Sequence, residues 1–244
     1  MSAVVESAGQ LLEAVRARRP RVHCLTNSVV QKFTADGLTA LGAVPSMTQS
    51  LDEVADFAGS ADALLVNLGT LDPVRRAAIE AALDAIEPTG RPWTLDPVHC
   101  EMSPLRLSFA KGLLARGPAV VRGNAAEMAV IGEAPAGTVA VQTGAVDRLT
   151  LEAHRIDVLN GDPLMAKVTG TGCLAGALVA SFLAVGQDRM ASAASALLVF
   201  GVCAEIAAET ASGPGSFAVA LLDAIANVTP EDIAKRGRAE DAAR

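Results

Sequence analysis

Short apolar runs alternate along most of the chain with longer segments in which apolar residues recur every three or four positions. The short runs have the length of β-strands, and the longer periodic segments are typical of amphipathic helices. Strands are predicted over residues 21–25, 44–46, 63–67, 93–96, 119–122 and 139–142. Because helical segments separate these strands, the pattern predicts βαβ units and a mainly parallel sheet.

The helical segments carry recognisable boundaries. Helices are predicted over residues 7–18, 31–41 and 52–58, and another is predicted to begin at Pro73. Asp72 is a suitable N-cap for that last helix, because proline is tolerated in the first helical position.

The last hundred residues follow a different pattern. Residues 149–159 mix polar and apolar positions and precede Asn160-Gly161, which predicts an antiparallel hairpin at the edge of the sheet. From Leu174 onward the pattern is almost wholly helical, and residues 235–244 are polar enough to predict a frayed tail. No linker or repeat divides the chain, so residues 1–244 are interpreted as one α/β domain.

Composition narrows the functional classes. The chain has 244 residues, of which 51% are hydrophobic, enough for a sizeable core. A formal net charge of −7 provides no basic field, so nucleic acid is not expected as a partner. The apolar stretches 173–186 and 190–208 are interpreted as buried helices, with no membrane partner. Four scattered cysteines and an N-terminus without a signal-peptide pattern favour the cytoplasm.

Polar residues follow several predicted strands at the points where those strands end. These residues are Thr26-Asn27, Asn67-Leu68-Gly69-Thr70, Asp96-Pro97, Arg122-Gly123-Asn124 and Thr143-Gly144. Ligands of open α/β sheets bind at the carboxyl ends of the strands. One such cluster alone would be an ordinary wet loop or helix cap, but five together favour a polar ligand site.

Glu127 lies three residues after Asn124, and this spacing has two interpretations. It matches a capping box that closes the start of a helix. Alternatively, Glu127 and Asp96 could organise a magnesium ion while Arg122 meets a phosphate, because Mg²⁺ in proteins is bound by one or two carboxylates together with substrate phosphates.

The segment Gly170-Thr171-Gly172-Cys173 leads directly into a long apolar helical pattern. Free N–H groups at a helix start bind anions, and the helix dipole lowers the pKa of a thiol placed there. The alternative is that Cys173 simply fills space in the core, as buried free cysteines often do. The segment lacks the Lys-Ser/Thr ending of a P-loop and comes too late in the chain for a dinucleotide-binding fingerprint.

Taken in order, seven segments resemble the hydroxyethylthiazole kinases of thiamine salvage, a family with the ribokinase-like fold. They are VHCLTNSVVQKFTADGLTALGAVPSM (22–47), ADALLVNLGTL (61–71), TLDPV (94–98), RGNAAE (122–127), TGAVD (143–147), KVTGTGCLAG (167–176) and GPGSF (213–217). The resemblance covers nearly the whole chain, and CLTN together with TGTGC, in place of TGTGD, is specific to this family among its relatives. It implies a three-layer αβα fold with a mainly parallel central sheet and helices on both faces.

The resemblance also implies an activity, phosphoryl transfer from ATP to the primary alcohol of 4-methyl-5-(2-hydroxyethyl)thiazole. It implies that Asn27, Met47 and Gly170 contact the thiazole, that Arg122 and Thr143 contact ATP, and that Asp96 and Glu127 organise Mg²⁺. It further implies an anion hole formed by Gly170, Thr171, Gly172 and Cys173, with Cys173 orienting or weakly activating the alcohol. Members of the family form trimers with sites between subunits, so a homotrimer is expected.

Two departures from the family pattern leave alternatives open. Residues 132–138 (GEAPAGT) replace a longer loop and helix, and residues 98–102 (VHCEM) replace a small, glycine-containing run after Asp96-Pro97. His99 and Glu101 could either alter metal or phosphate handling or cap the following helix. One alternative function is a related vitamin or small-alcohol kinase or a dehydratase of the same fold, although such relatives are expected to place an aspartate at position 173. The other is a thiazole- or nucleotide-binding remnant that has lost turnover.

Overall fold

A computed structural model describes residues 2–243 of the chain, and side chains from residue 2 to residue 241. Its strands are β1 (Arg21–Leu25), β2 (Val44–Ser46), β3 (Ala63–Asn67), β4 (Trp93–Asp96), β5 (Val120–Asn124), β6 (Val139–Thr143), β7 (Asp147–Leu151), β8 (His154–Val158) and β9 (Ala239–Ala243). They form one sheet in the order β2-β1-β3-β4-β5-β6-β7-β8-β9. Pairing is parallel from β2 to β6 and antiparallel from β6 to β9.

Helices cover both faces of the sheet. They are α1 (Ala3–Arg18), α2 (Gln31–Leu41), α3 (Val54–Ser60), α4 (Pro73–Ile86), α5 (Pro104–Leu114), α6 (Ala125–Ile131), α7 (Thr171–Leu183), α8 (Arg189–Ala208), α9 (Pro214–Asn227) and α10 (Pro230–Arg236). One buried cluster joins the sheet to α1, α2 and α7 to α10, and a second joins it to α3, α4, α5 and α6. The predicted three-layer αβα architecture is therefore confirmed.

The strand prediction works best where strands are buried on both faces. β3 is buried at all five positions, and such a strand appears in the sequence as a continuous apolar run. β1, β2, β3 and β4 have the predicted bounds, while β5 and β6 each extend further toward the polar loops that follow them. The predicted cap of α4 is also present, since Asp72 accepts a hydrogen bond from the Arg75 N–H at 2.8 Å.

The chain end differs from the prediction of a frayed tail over residues 235–244. α10 continues to Arg236, and β9 pairs with β8, so β9 rather than the predicted hairpin forms that edge of the sheet. The backbone groups on the outer side of β8 provide the pairing surface that the sequence pattern does not reveal. Asn160 holds the start of this segment by accepting the Arg238 N–H at 2.6 Å, and Glu205 accepts from the Arg238 guanidinium at 2.6 Å. Residue 244 lies outside the described residues.

The most apolar helix is a core element. α8 is long and apolar enough to cross a bilayer, but 83% of its most apolar stretch is buried within the fold. It packs against α1, α7 and α9, as expected from the sequence.

Candidate active site

The carboxyl ends of the parallel strands surround one cleft of about 610 Å³. Its lining comes from the loop after β1, the ends of β4, β5 and β6, and the first turn of α7; it includes Asn27, Asp96, Arg122, Asn124, Glu127, Thr143, Gly170, Gly172 and Cys173. Parallel pairing explains the convergence, because every strand from β1 to β6 ends at the same edge of the sheet. The structure thus brings together most of the residues that the sequence singled out.

The Cys173 thiol lies at the centre of this cleft between two asparagine amides. Asn27 Nδ2 donates to Cys173 Sγ at 3.3 Å, and Asn67 Nδ2 donates to it at 3.2 Å. Burial, reinforced by the nearby Asp96 carboxyl, raises the pKa of the thiol to about 11, although the amides oppose the shift. The expected lowering of this pKa at the helix start is therefore wrong, because desolvation is the largest influence on the thiol, and Cys173 is a neutral thiol near pH 7.

Asn67 is a site residue to which the sequence analysis assigned no role. Its amide nitrogen donates to Asp96 Oδ2 at 3.0 Å as well as to Cys173, and its oxygen accepts the Gly69 N–H at 3.1 Å. It is fully buried at the last position of β3. Its place at a strand end was the only available signal, since its partners lie on β4 and α7, far away in the sequence.

Asp96 ends β4 with its carboxyl group almost fully buried. Burial raises the pKa of this carboxyl to about 6; Arg122 and Asn67 lower it, whereas Glu127 raises it further. Arg122 Nη1 lies 3.4 Å from Asp96 Oδ2, and Arg122 Nη2 donates to Thr143 Oγ1 at 3.2 Å. The guanidinium thus bridges the ends of β4 and β6 at the middle of the cleft.

Glu127 is the buried acid at the start of α6, and the capping interpretation of its spacing is correct. Asn124 Oδ1 accepts the N–H groups of Ala126 and Glu127, while Glu127 Oε2 accepts the Asn124 N–H at 2.7 Å. Glu127 Oε1 accepts the His99 N–H at 2.8 Å. The cap also aims the carboxylate into the cleft beside Asp96, so the two interpretations are compatible.

The first turn of α7 has no side-chain cap. Its N-cap is Gly170, which has no side chain to close the helix and adopts φ = +103° with Val30 against it. Within residues 2–243, no protein acceptor receives the N–H of Gly172 or Cys173. The Thr171 hydroxyl turns away and donates to the Met165 carbonyl at 2.8 Å. The two free N–H groups can therefore bind an anion.

A second cavity of about 780 Å³ adjoins the cleft and shares Arg122, Asn124, Thr143 and Gly172 with it. It extends along the loop after β6 toward Asn160 and the apolar face of α8. The two cavities together offer room for two ligands that meet at Arg122 and the start of α7.

Met47 is placed differently from the other predicted site residues. It follows β2, is partly buried and packs against the larger core, and it is not part of the cleft lining in a single chain.

The short segment at residues 132–138 is closed by polar contacts. Thr138 Oγ1 donates to the Pro118 carbonyl at 2.7 Å, and Arg189 Nη1 donates to the Gly137 carbonyl at 2.7 Å. β5 and β6 still pair over five positions, so the sheet is continuous across the shortened connection.

His99 and Glu101, which depart from the family pattern, lie at the rim of the cleft. His99 Nδ1 is 3.5 Å from a Glu101 oxygen, and one ligand atom from each can approach the Glu127 carboxylate. His99 adopts φ = +54°, which turns its backbone N–H toward Glu127. The segment that carries His99 in this chain thus helps to hold the Glu127 carboxylate in position.

The fold class is that of the ribokinase-like proteins. A hydroxyethylthiazole kinase structure from Pyrococcus horikoshii OT3 superposes with a TM-score of 0.91 at 34% identity, covering 96% of this chain and 98% of that one. A Staphylococcus aureus pyridoxal kinase in complex with AMP-PCP and pyridoxal matches with a TM-score of 0.56 at 15% identity, covering 76% of this chain and 87% of its own. This second likeness concerns the fold alone.

Sequence comparison then gives the family. The model of the hydroxyethylthiazole kinase family matches residues 12–137 and 133–231. A probable hydroxyethylthiazole kinase of Agrobacterium fabrum is 53% identical over 96% of this chain and 94% of its own length. A hydroxyethylthiazole kinase of Serratia proteamaculans is 39% identical over 93% and 95%, respectively. The chain belongs to the hydroxyethylthiazole kinase family.

Proposed function

We propose that this protein transfers the γ-phosphoryl group of ATP to the primary alcohol of 4-methyl-5-(2-hydroxyethyl)thiazole, in thiamine biosynthesis or salvage. The observation that carries the proposal is the open N-terminus of α7 at the junction of two cavities, flanked by Arg122 and the Cys173 thiol. Such a junction is where a phosphoryl group would pass from one ligand to the other. Family membership supports the thiazole alcohol and ATP as the two ligands.

The thiazole would occupy the side of the cleft near β1. There the Asn27 amide and the Gly170 backbone line the space, with Val29 and Val30 as apolar neighbours. Met47 would contact the thiazole in an assembled site, since Gln49, two residues further on, donates to the Thr26 carbonyl beside Asn27.

ATP would occupy the adjoining cavity. Arg122 and Thr143 line both cavities and are hydrogen-bonded to each other, so they are placed to contact the triphosphate. An arginine is suited to this role because its planar guanidinium forms paired hydrogen bonds with phosphate oxygens.

Asp96 and Glu127 would hold Mg²⁺, and their chemistry fits that ion. They supply hard oxygen ligands, and their mutual repulsion contributes to the raised pKa of Asp96, a situation that a divalent cation relieves. Both Glu127 oxygens already accept backbone N–H groups, which favours contact through water. When bound, Mg²⁺ would neutralise charge on the phosphates.

The chain's own residues would act mainly by orientation and charge stabilisation. The alcohol oxygen forms a bond to the γ-phosphorus, the bond to the ADP oxygen breaks, and the alcohol proton passes to an oxygen of the transferred phosphoryl group or to water. The open N–H groups at Gly170–Cys173 would stabilise the phosphoryl oxygens. Cys173 Sγ already accepts from two amides, so its own hydrogen is free to orient the alcohol. With a pKa of about 11 the group stays a neutral thiol near pH 7, and a neutral thiol is a poor base, consistent with late proton loss.

Assembly as a homotrimer with sites at subunit boundaries is part of the proposal. Apolar side chains are exposed close to the thiazole side of the cleft, with Val29 71% and Leu51 53% exposed. Light scattering on the purified protein would test the trimer. A cytoplasmic location accords with the four free thiols and with a cellular supply of ATP.

A coupled assay tests the function. The purified protein with Mg-ATP and hydroxyethylthiazole should yield ADP and the phosphate ester in equal amounts, both dependent on the alcohol. Hydroxymethylpyrimidine, pyridoxal and ribose serve as competing acceptors, and a clear preference for one of them would replace the thiazole assignment. Normal folding with ligand binding but no ADP would instead favour the remnant without turnover.

A further inference from the structure

Arg75 is a buried arginine that the phosphoryl-transfer chemistry does not use. It belongs to the first turn of α4 and is only 6% exposed. Its guanidinium donates to the Thr26 carbonyl through Nη1 and to the Asn67 carbonyl through Nη2, the latter at 2.9 Å. Among the described residues, no carboxylate forms an ion pair with it.

Burying a guanidinium that has only neutral acceptors costs free energy. Such a group is explained if its two hydrogen bonds hold a geometry that the protein needs. The two carbonyls lie side by side at the ends of β1 and β3, since Leu25 pairs with Val66 one position earlier. Beyond this point the sheet offers these carbonyls no strand partner. Arg75 therefore fixes the spacing of two strand ends that would otherwise diverge into loops.

These strand ends carry the two amides around the thiol. Asn67 is one of the two residues whose carbonyl Arg75 holds, and Asn27 directly follows the other, Thr26. Both amides donate to Cys173 Sγ. A shift of either strand end would therefore move an amide relative to the thiol.

The same guanidinium reaches the segment that follows β2. Arg75 Nη1 donates to Gln49 Oε1 at 3.3 Å, and Gln49 Nε2 donates to the Thr26 carbonyl at 3.0 Å. Gln49 lies two residues after Met47, so one buried side chain connects the ends of β1 and β3 with the segment that carries Met47.

We propose that Arg75 is a positioning residue for the acceptor half of the active site. It sets the asparagine amides around Cys173 and the Met47 segment, whereas it forms no hydrogen bond with Arg122 or Thr143, the described residues of the nucleotide half. The assignment rests on the proposed function, because it concerns the binding and orientation of the thiazole alcohol.

The substitution Arg75→Lys tests this assignment, because lysine keeps the charge but cannot hold two carbonyls in a fixed fork. We expect kcat/KM for the thiazole to fall about 10- to 100-fold, the size of effect that misplaced reacting groups produce. KM for ATP should stay within about twofold of the unaltered protein. Equal losses for both substrates would contradict the assignment.

Arg91→Lys is the matched control. Arg91 also bridges two backbone carbonyls, those of Gly59 and Ala61 at 2.9 and 2.7 Å, but at the opposite end of the sheet. It should lose stability without changing either KM. If the wild-type protein phosphorylates the thiazole but Arg75→Lys and Arg91→Lys have the same kinetics, Arg75 has only a structural role. The assignment of Arg75 is then wrong, while the proposed function stands. A wild-type protein that neither binds nor phosphorylates the thiazole removes both the proposed function and this assignment.

Two further measurements guard against a variant that does not fold. Gln49→Met removes the link between Arg75 and the Met47 segment at a partly exposed position and should raise KM for the thiazole about threefold or more, the loss of one hydrogen bond. Combining Arg75→Lys with Cys173→Ala should give less than the product of the single effects, since both act through the thiol. The assignment would be overturned if Gln49→Met left KM for the thiazole unchanged. It would also be overturned if the loss in the double variant equalled the product of the two single losses.

Discussion

Two helices begin at the same cleft, and their first turns are built in opposite ways. α6 is closed by its own side chains, because Asn124 and Glu127 form a reciprocal capping box. α7 begins at Gly170, and the N–H groups of Gly172 and Cys173 find no protein acceptor among the described residues. A closed helix start contributes stability, whereas an open one keeps its donors for a ligand. The first turn of α6 therefore stabilises the wall of the cleft, whereas the first turn of α7 keeps donors that a ligand can use.

Closing the open end should have the largest effect on activity. In Gly172→Ala the new methyl carbon would lie 3.2 Å from Arg122 Nη1, between the helix start and the guanidinium. Alanine keeps its N–H group, but the methyl would separate that donor from Arg122 and crowd the anion position, so we expect a loss in kcat like that of a missing oxyanion-type donor, about 100- to 1,000-fold. Steady-state kinetics measures it, with thermal unfolding as the control; a variant with normal kcat would refute the anion role of this turn.

Asp96→Asn removes the carboxylate beside the open end and should lower kcat/KM about 100-fold, the free energy of a charge-assisted contact. Its raised pKa also predicts the pH dependence. In the proposed role only the ionised form would hold Mg²⁺, so wild-type activity should be present above pH 6 and be lost as pH falls through about 6. The variant should lack this acidic limb; a profile with the same limb would assign it to another group.

The raised pKa of Asp96 also predicts how the free energy of unfolding changes with pH. Because the carboxyl pKa rises from 3.8 to about 6 on folding, the folded state binds the proton more tightly between these values. The free energy of unfolding of the metal-free protein should therefore decrease as pH rises from about 4 to 6 through this group. Denaturant unfolding at both pH values, for wild type and Asp96→Asn, isolates its contribution.

Cys173→Ala removes a side chain from the open turn but leaves its backbone donors in place. We expect kcat to fall about 10-fold and to remain measurable, because the thiol contributes the equivalent of one hydrogen bond. Mass spectrometry during turnover should find no phosphorylated thiol. Trapping such an intermediate, or complete loss of activity in a folded variant, would give Cys173 a covalent role instead.

Opening the closed end should have the smallest effect on turnover. Asn124→Ala removes the cap of α6 and should lower the free energy of unfolding by about 1 kcal/mol, with activity reduced less than about 10-fold. Thermal and denaturant unfolding measure the change. If Asn124→Ala instead costs as much activity as Gly172→Ala, the distinction between the two helix starts does not hold.

The sequence predicts this fold well where one segment suffices to define an element. The buried strand β3 and the capped start of α4 are visible in their own residues, and so is the capping box at Glu127. β9 was missed because AEDAA has little strand character, and only the open side of β8 makes it a strand.

Long-range contacts limited the prediction of the site in the same way. The polar strand ends indicated where a ligand would bind, but not which group faces which. The high pKa of Cys173 depends on burial and on Asp96, which is 77 positions away, and Arg75 acts on carbonyls of residues in two other segments. Burial and such contacts arise only when the segments pack.

Asn160 connects the segment just before β9 to the wall of the larger cavity. Asn160, which lines that cavity, donates to the Arg236 carbonyl and accepts from the Arg238 N–H. A protease cut or an affinity tag near residue 238 should therefore disturb Asn160 and with it the cavity where the nucleotide is proposed to bind.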